Sequence, residues 1–423
     1  MIRFEIDYLR ALGTAGRAAS FGILLLLVYV PTLAVAADLQ DEWSGVERVV
    51  TVGDVHGDYD GYINVLKDAG IVNRRGKWVA GETHLVQIGD VSDRGPDTAK
   101  IIRHLKKLEK QARKAGGYVH ALIGNHEAMN MLGDLRYVHP GEYEALKSRK
   151  AKALRDAYYR QVVAYLEAQE NGPIIDEAFE TRWMEEHPLG YVEHRQHWDP
   201  SGEFGEWVLE RNAAIKINDT LFLHAGLGPA YADLSIRQIN KRIRSELANP
   251  AEFEDLMSES EEGPLWYRGL ARPGEGAEEY LDTLLLHFGV QRVVIGHTPG
   301  YGTIVPTINA KVLNTDSGIG AHYGGHEASL LIEGDRFYTR QRGETVPLPA
   351  PGESALEYLT EMARLKPDVR NLQALVYQLS QPAESAPVDV SPSNSAPADQ
   401  TEGSSSVDAQ PVTAAGAGAA LPF

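Results

Sequence analysis

Apolar residues fall in short runs along the first half of the chain, and the runs alternate with segments of helical period. Residues 46–53 read as a strand and 59–69 as a short helix; 84–89 is a second strand, 97–115 a basic-faced helix and 118–124 a third strand. This β-α-β-α-β order predicts parallel pairing with helices packed on the sheet. The second half has a different rhythm. Residues 214–217 and 220–224 form a close pair turned at Asn218-Asp219, and short runs follow at 292–296, 303–308, 311–315, 326–333 and 336–340. Few helical segments separate them, which predicts a second, more antiparallel sheet. The expected fold class is α/β, a four-layer α/β/β/α sandwich.

Between the halves, residues 134–211 are rich in charge and aromatics. Helical periodicity covers 141–169, and Trp183, Tyr191, Trp198, Phe204 and Trp207 follow among His187, His194, Arg195 and His197. This stretch reads as an inserted helical cap within a body spanning 44–345. Residues 353–379 predict a C-terminal helix packed on that body.

The two ends differ from the body. Arg3, Arg10 and Arg17 precede an uncharged run over 18–37 that closes on Ala34-Val35-Ala36. A positive flank, an apolar centre and a small-residue exit predict a secretory signal peptide over 1–37, or an anchor that tethers the chain to the inner membrane through 18–37. Either way the body lies outside the cytoplasm, in the periplasm. From 381 to 423 the chain turns to Pro, Ser, Ala, Gly, Asp and Thr, and Arg370 is its last basic residue. Such a tail buries too little apolar surface to offset its ordering entropy and is read as disordered.

Composition narrows the chemistry. Lys+Arg number 41 against 59 Asp+Glu, a net charge of −18 that repels polyanions and argues against a nucleic-acid partner. There is no cysteine, which excludes disulfide frameworks, thiolate metal sites and a cysteine nucleophile. What remains is oxygen and imidazole chemistry, and the sequence concentrates it. Three consecutive predicted strands end in Gly53-Asp54-Val55-His56-Gly57, Gly89-Asp90-Val91-Ser92-Asp93-Arg94-Gly95 and Gly124-Asn125-His126-Glu127. Parallel strands share their C-terminal edge, so these side chains converge there. His224-Ala225-Gly226 and Gly296-His297-Thr298-Pro299 each bring one more imidazole. Carboxylate, amide and imidazole donors suit two divalent ions such as Mn²⁺, with Fe or Zn²⁺ as alternatives. Two metals about 3.5–4 Å apart clamp both oxygens of an in-line phosphoryl displacement and activate a bridging water. Asp90, on the middle strand, is the candidate bridge. His126 is placed to protonate a leaving alkoxide, Asp93 to hold that imidazole, and Arg94 to grip phosphate.

The combination of these motifs resembles the phosphoprotein phosphatase type of calcineurin-like metallophosphatase. Within it the chain is most similar to the bacterial Shewanella-like phosphatases, with weaker support from Trp266-Tyr267-Arg268-Gly269 and from Gly324-Gly325 after 314–318. The resemblance implies the metallo-dependent phosphatase fold, with one metal held by Asp54, His56 and Asp90. The second is held by Asp90, Asn125, His224 and His297. It implies Asn125 at the substrate phosphate as well, and Arg268 as a second phosphate arginine beside Arg94. It implies hydrolysis of phosphate monoesters without a covalent phosphoenzyme, on a phosphorylated protein or a small aryl phosphate, with phosphotyrosine ahead of phosphoserine or phosphothreonine. Aromatics of the cap would then stack on the substrate ring. Two departures, Ala225 and the Gly296-His297-Thr298-Pro299 context, remove no ligand but weaken any transfer of eukaryotic Ser/Thr specificity. The rivals are a dinucleoside-polyphosphate hydrolase, against which Asp93 and the secretory start count, and a non-catalytic module that binds phosphorylated ligands.

Overall fold

The computed structural model describes residues 39–169 and 172–381. The predicted signal or anchor and all but the first residue of the low-complexity tail lie outside the described residues. Among the described residues no helix is long and apolar enough to cross a membrane.

The strands are β1 (Glu42–Trp43), β2 (Arg48–Val52), β3 (His84–Gln87), β4 (Tyr118–Ala121), β5 (Ala214–Ile217), β6 (Thr220–Leu223), β7 (Arg292–Ile295), β8 (Val305–Thr307), β9 (Val312–Asn314), β10 (Ala328–Glu333), β11 (Arg336–Gln341) and β12 (Glu344–Pro347). They form two six-stranded sheets, in the orders β12-β11-β10-β2-β3-β4 and β1-β5-β6-β7-β9-β8. Strands β2, β3 and β4 are parallel, as their crossover helices require.

The central strands of both sheets are buried on both faces, whereas the edge strands β1 and β12 and their neighbour β11 are not. Val49, Val86, Leu330 and Ile332 of one sheet share a core with Ile215, Phe222, Val294 and Leu313 of the other. Their neighbours Val50, Val52, Leu85, Leu221, Leu223, Val293 and Ile295 face outward, into a second core with the helices. This double burial is why the strands read as continuous apolar runs rather than as alternating ones. Helix Thr98–Lys114 shows the outer layer. It buries Ile101, Ile102, Leu105, Leu108 and Ala112 and turns its lysines to water. Helix Tyr59–Asp68 starts where Asp58 caps the Gly61 amide at 2.9 Å.

The architecture corrects the expected assignment of strands to sheets. Residues 328–341 do not extend the second sheet. They cross back, and β10 pairs antiparallel with both β11 and β2, with Leu331 opposite Val50. The second sheet is mixed: β5 and β6 are antiparallel about Asn218, but β6–β7 and β7–β9 are parallel. Two predicted helices are each divided. The 141–169 segment forms Pro140–Leu146 and Ala151–Glu167. Between them Glu193 draws the Ser148 amide (3.0 Å) and hydroxyl (2.7 Å) out of any helical ladder. The 353–379 segment forms Leu356–Leu365 and Arg370–Leu379, interrupted at Pro367, which disfavours helical backbone in the residue before it.

The aromatic stretch also splits. Trp183 and Tyr191 pack with Tyr158, Val162 and Val192 in a small cluster of their own, whereas Trp198, Phe204 and Trp207 belong to the main core. The C-terminal helices close the inter-sheet core with Leu359, Met362 and Leu372. Tyr358 pins them there: its hydroxyl donates to the Ile304 carbonyl at 2.8 Å and meets Thr339 Oγ1 at 2.7 Å. Removing that hydroxyl strands a buried carbonyl, at a cost of about 1–3 kcal/mol. Tyr358→Phe is therefore expected to lower the urea midpoint with an unchanged m-value, and an unshifted midpoint would show that the hydroxyl carries no net stability.

Candidate metal centre

Glycine packing sets the stage. Gly57 and Gly95 touch backbone to backbone, and a Cβ on either would collide with the other loop. A Cβ at Gly296 would strike Asp54 Oδ1. The loops after β2 and β3 are then stitched together: the Val55 and His56 amides donate to the Asp90 carbonyl at 3.1 and 3.0 Å, and Gly57 to Val91 at 2.9 Å. His56, Asp90, Asp93, Arg94 and His297 all hold positive φ, from 45° to 68°. Such backbone is sparsely populated for non-glycine residues and gathers at functional sites.

Glu127 organises the centre from below. Its Oε2 accepts the amides of Asp90 and Gly124, both at 2.9 Å. Its Oε1 accepts the amides of Val91 (2.9 Å) and Ser92 (3.1 Å) and the Ser92 hydroxyl (2.9 Å). One buried carboxylate thereby shapes the whole turn that presents Asp90.

The predicted residues converge. Asp90 Oδ1 accepts the His126 amide at 3.0 Å, which leaves Oδ2 facing three imidazoles. His224 Nε2 stands 3.3 Å from it, His56 Nε2 3.8 Å and His126 Nε2 3.9 Å. His56 Nδ1 is set by the Ser92 carbonyl (3.2 Å) and His224 Nδ1 by that of Ile88 (2.9 Å), so both Nε2 atoms turn inward. Asn125 Oδ1 lies 3.0 Å from His224 Nε2. Asp54 Oδ2 accepts the His297 amide at 2.9 Å. Two groups of ligand atoms each gather within 4.8 Å, His56/Asp90/His126 and Asp90/His224/His297, and Asp90 belongs to both.

This donor set fits divalent cations. Asp54 Oδ1 and His297 Nε2 are buried and have no hydrogen-bond partner, as atoms that await a cation would. Burial and the facing imidazole of His126 push His56 down to about 3, and burial beside His224 holds His297 well below its usual value, so both are neutral donors. Burial and the adjacent Asp316 carboxyl push Asp54 well above the usual carboxylate range. A cation there removes that penalty.

The remaining predicted residues lie next to these ligand atoms or to one another. His126 Nδ1 lies 2.6 Å from Asp93 Oδ2, and Asn130 donates to the other Asp93 oxygen at 2.8 Å. Burial opposes a charge on His126, but Asp90 and Asp93 overcome it and raise the imidazole to about 9. The Arg94 guanidinium stacks 3.9 Å over Tyr137, and its amide donates to the Tyr137 carbonyl at 3.0 Å. Arg268 donates to the His297 carbonyl at 2.8 Å and to Thr298 at 3.0 Å. Sequence reasoning gave no role to Glu127, Asn130, Tyr137, Asp316 or Tyr323, whose ring sits 5.0 Å from His56. Only Glu127 and Asp316 left a signal, each beside a glycine-rich motif.

The pattern of the calcineurin-like phosphoesterases matches residues 47–301. The chain belongs to that family. It is a metal-dependent hydrolase, related to the Shewanella-like protein phosphatases. An uncharacterised protein of Schizosaccharomyces pombe is 37% identical over 296 residues, which cover 67% of this chain and 76% of that protein. Shewanella-like protein phosphatase 2 of Arabidopsis thaliana is 28% identical over 297 residues, 66% of this chain and 73% of its own. Among solved structures, a cold-active protein-tyrosine phosphatase of a psychrophilic Shewanella superposes with a TM-score of 0.57 at 29% identity, covering 74% of this chain and 84% of that one.

Glu127→Ala would strand four buried amides and a hydroxyl at once. The expected loss is about 3 kcal/mol or more by denaturant titration, with the turn at Asp90 released. A variant of wild-type stability would show that Glu127 does not organise that turn.

Proposed function

We propose that the protein is a dinuclear-metal protein phosphatase that acts on phosphotyrosine and other aryl phosphates. The observation that carries the reading is the Asp90 carboxylate, shared by two imidazole clusters at the common edge of the sheets. Asp54, His56 and Asp90 would hold one ion, and Asp90, Asn125, His224 and His297 the other. When bound, the pair supplies Lewis-acid charge at the phosphoryl oxygens and an activated water; Mn²⁺ suits the donors.

The chain's own groups do the rest. Arg94, fixed by Tyr137, offers its guanidinium to the phosphate. Arg268, anchored on His297 and Thr298, adds positive charge beside His297. Asn125 faces the same space. His126, raised toward protonation by Asp90 and Asp93 against its burial, would give its proton to the departing oxygen, with Asp93 holding Nδ1 so that Nε2 is left for the substrate. Aryl preference follows from Tyr137 and Tyr323, whose rings flank His126 at 5.2 Å and His56 at 5.0 Å. Trp183 and Tyr191 fill the interior of the insert instead. We also propose that residues 1–37 direct export to the periplasm; N-terminal sequencing of the exported protein, beginning near residue 37 or at Met1, separates cleavage from anchoring.

Chelation is expected to abolish turnover and Mn²⁺ to restore it. On matched peptides kcat/KM for phosphotyrosine should exceed that for phosphoserine by about tenfold, or roughly 1.4 kcal/mol of transition-state binding; equal values would remove the aryl preference. His126→Asn should lower kcat by roughly 10²–10⁴-fold on a substrate with a poor leaving group. Because Asp93 raises the His126 pKa, Asp93→Asn should let the imidazole lose its proton sooner and move the basic limb of the rate profile to lower pH. A limb that stays in place would assign that ionisation elsewhere.

A further inference from the structure

Asp316 follows β9 in the segment Asn314-Thr315-Asp316-Ser317-Gly318, and it is only 3% exposed. Three buried aspartates here share one arrangement. Asp54 gives Oδ2 to the His297 amide and keeps Oδ1 free; Asp90 gives Oδ1 to the His126 amide and turns Oδ2 inward. Asp316 gives Oδ1 to the Gly318 amide at 3.1 Å, and its Oδ2 is buried with no partner. Its carboxyl faces that of Asp54 within hydrogen-bonding reach. The loop cannot withdraw. Gly53 lies so close to Thr315 and Asp316 that a Cβ would collide with it, and the Thr315 amide is tied to Ile295 at 2.7 Å. The same segment runs on to Tyr323, whose ring rests 5.0 Å from His56.

Facing carboxylates with one bare oxygen each repel unless a shared proton or a metal cation lies between them, and a metal ion replaces that proton. The ligand sets proposed above are unequal, three protein groups for the ion at Asp54 and four for the ion at His297. We propose that Asp316 is a further protein ligand to the ion held by Asp54, His56 and Asp90, contributing Oδ2. The inference rests on the dinuclear reading and extends it by a residue outside the strand-end motifs.

The test is metal binding by the apo-protein, without substrate. Chelated full-length protein is titrated with Mn²⁺ by calorimetry, and bound Mn²⁺ is counted after gel filtration. Two variants are compared with wild type. Asp316→Asn keeps the shape and removes the charge. Asp316→Ser keeps an oxygen for the Gly318 amide and removes the free one. Wild type should bind two ions, and each variant that retains the wild-type circular dichroism should bind one of them about tenfold or more weakly, or retain a single ion. Two ions at wild-type affinity in either folded variant overturn the role of Asp316 and leave the dinuclear reading standing. A wild-type protein that binds no Mn²⁺, Zn²⁺ or Fe²⁺ overturns both.

Discussion

The charge buried at the joint edge of the two sheets is what the surrounding structure must accommodate. Asp54, Asp90, Asp93, Glu127 and Asp316 are each no more than 3% exposed. Backbone amides neutralise part of this: four converge on Glu127, and one each on Asp54, Asp90 and Asp316. Burial opposes the Asp90 charge, but the His224 and His126 imidazoles overcome it and hold that carboxylate well below its usual range, whereas burial keeps His56 and His297 neutral. A pocket with that balance is unfavourable until cations enter it, so metal affinity and fold stability draw on the same carboxylates. The match to a metal-dependent phosphoesterase family over residues 47–301 is the functional side of that physics.

Strained backbone has a place in the same scheme. Left-handed φ at His56, Asp90, Asp93, Arg94 and His297 costs of order 1–3 kcal/mol per residue and persists only where the surroundings over-determine it. They do so here through bonds between loops. The Asp90 carbonyl holds two amides of the first loop, and the Gly296 amide is held by the His224 carbonyl at 2.7 Å. Each loop is thus fixed by its neighbour rather than by its own strand. Side chains drawn from residues 54 to 297 can then keep a spacing of a few ångströms.

This explains which features were legible beforehand. Strands β2, β3 and β4 and the two helices between them were readable because local period and parallel topology agree. The gathering of Asp54, His56, Asp90, Asn125, His126, His224 and His297 was readable because each follows a strand and lies one or two residues from a glycine. The return of β10, and β11 with it, to the first sheet was not, since a run buried on both faces, as β10 is, carries no mark of which sheet it joins. Tyr137 and Tyr323 left no trace either. A ring that stacks on an arginine or beside an imidazole is indistinguishable in sequence from one that fills a core, and Trp183 proved to be the second kind.

The peripheral parts act on the centre through few contacts, and they divide it between them. The insert holds the acid and phosphate side. Tyr137 carries Arg94, Glu142 accepts the Asp93 amide at 3.2 Å, and Arg195 donates to the carbonyl of Asn130, the residue that fixes Asp93. The C-terminal helices hold the other side. Asn371 donates to the Gly300 carbonyl at 3.1 Å and Lys366 to that of Gly302 at 3.2 Å, so the loop after His297 is braced from behind. Lys366 also meets His326 at 3.1 Å, and the His326 amide donates to Gly318, which ties the same brace to the Asp316 loop. An insert can therefore vary in its outer packing without disturbing His297, and the C-terminal helices can vary without disturbing His126. Asp90, anchored by Glu127 and facing both ligand groups, belongs to neither.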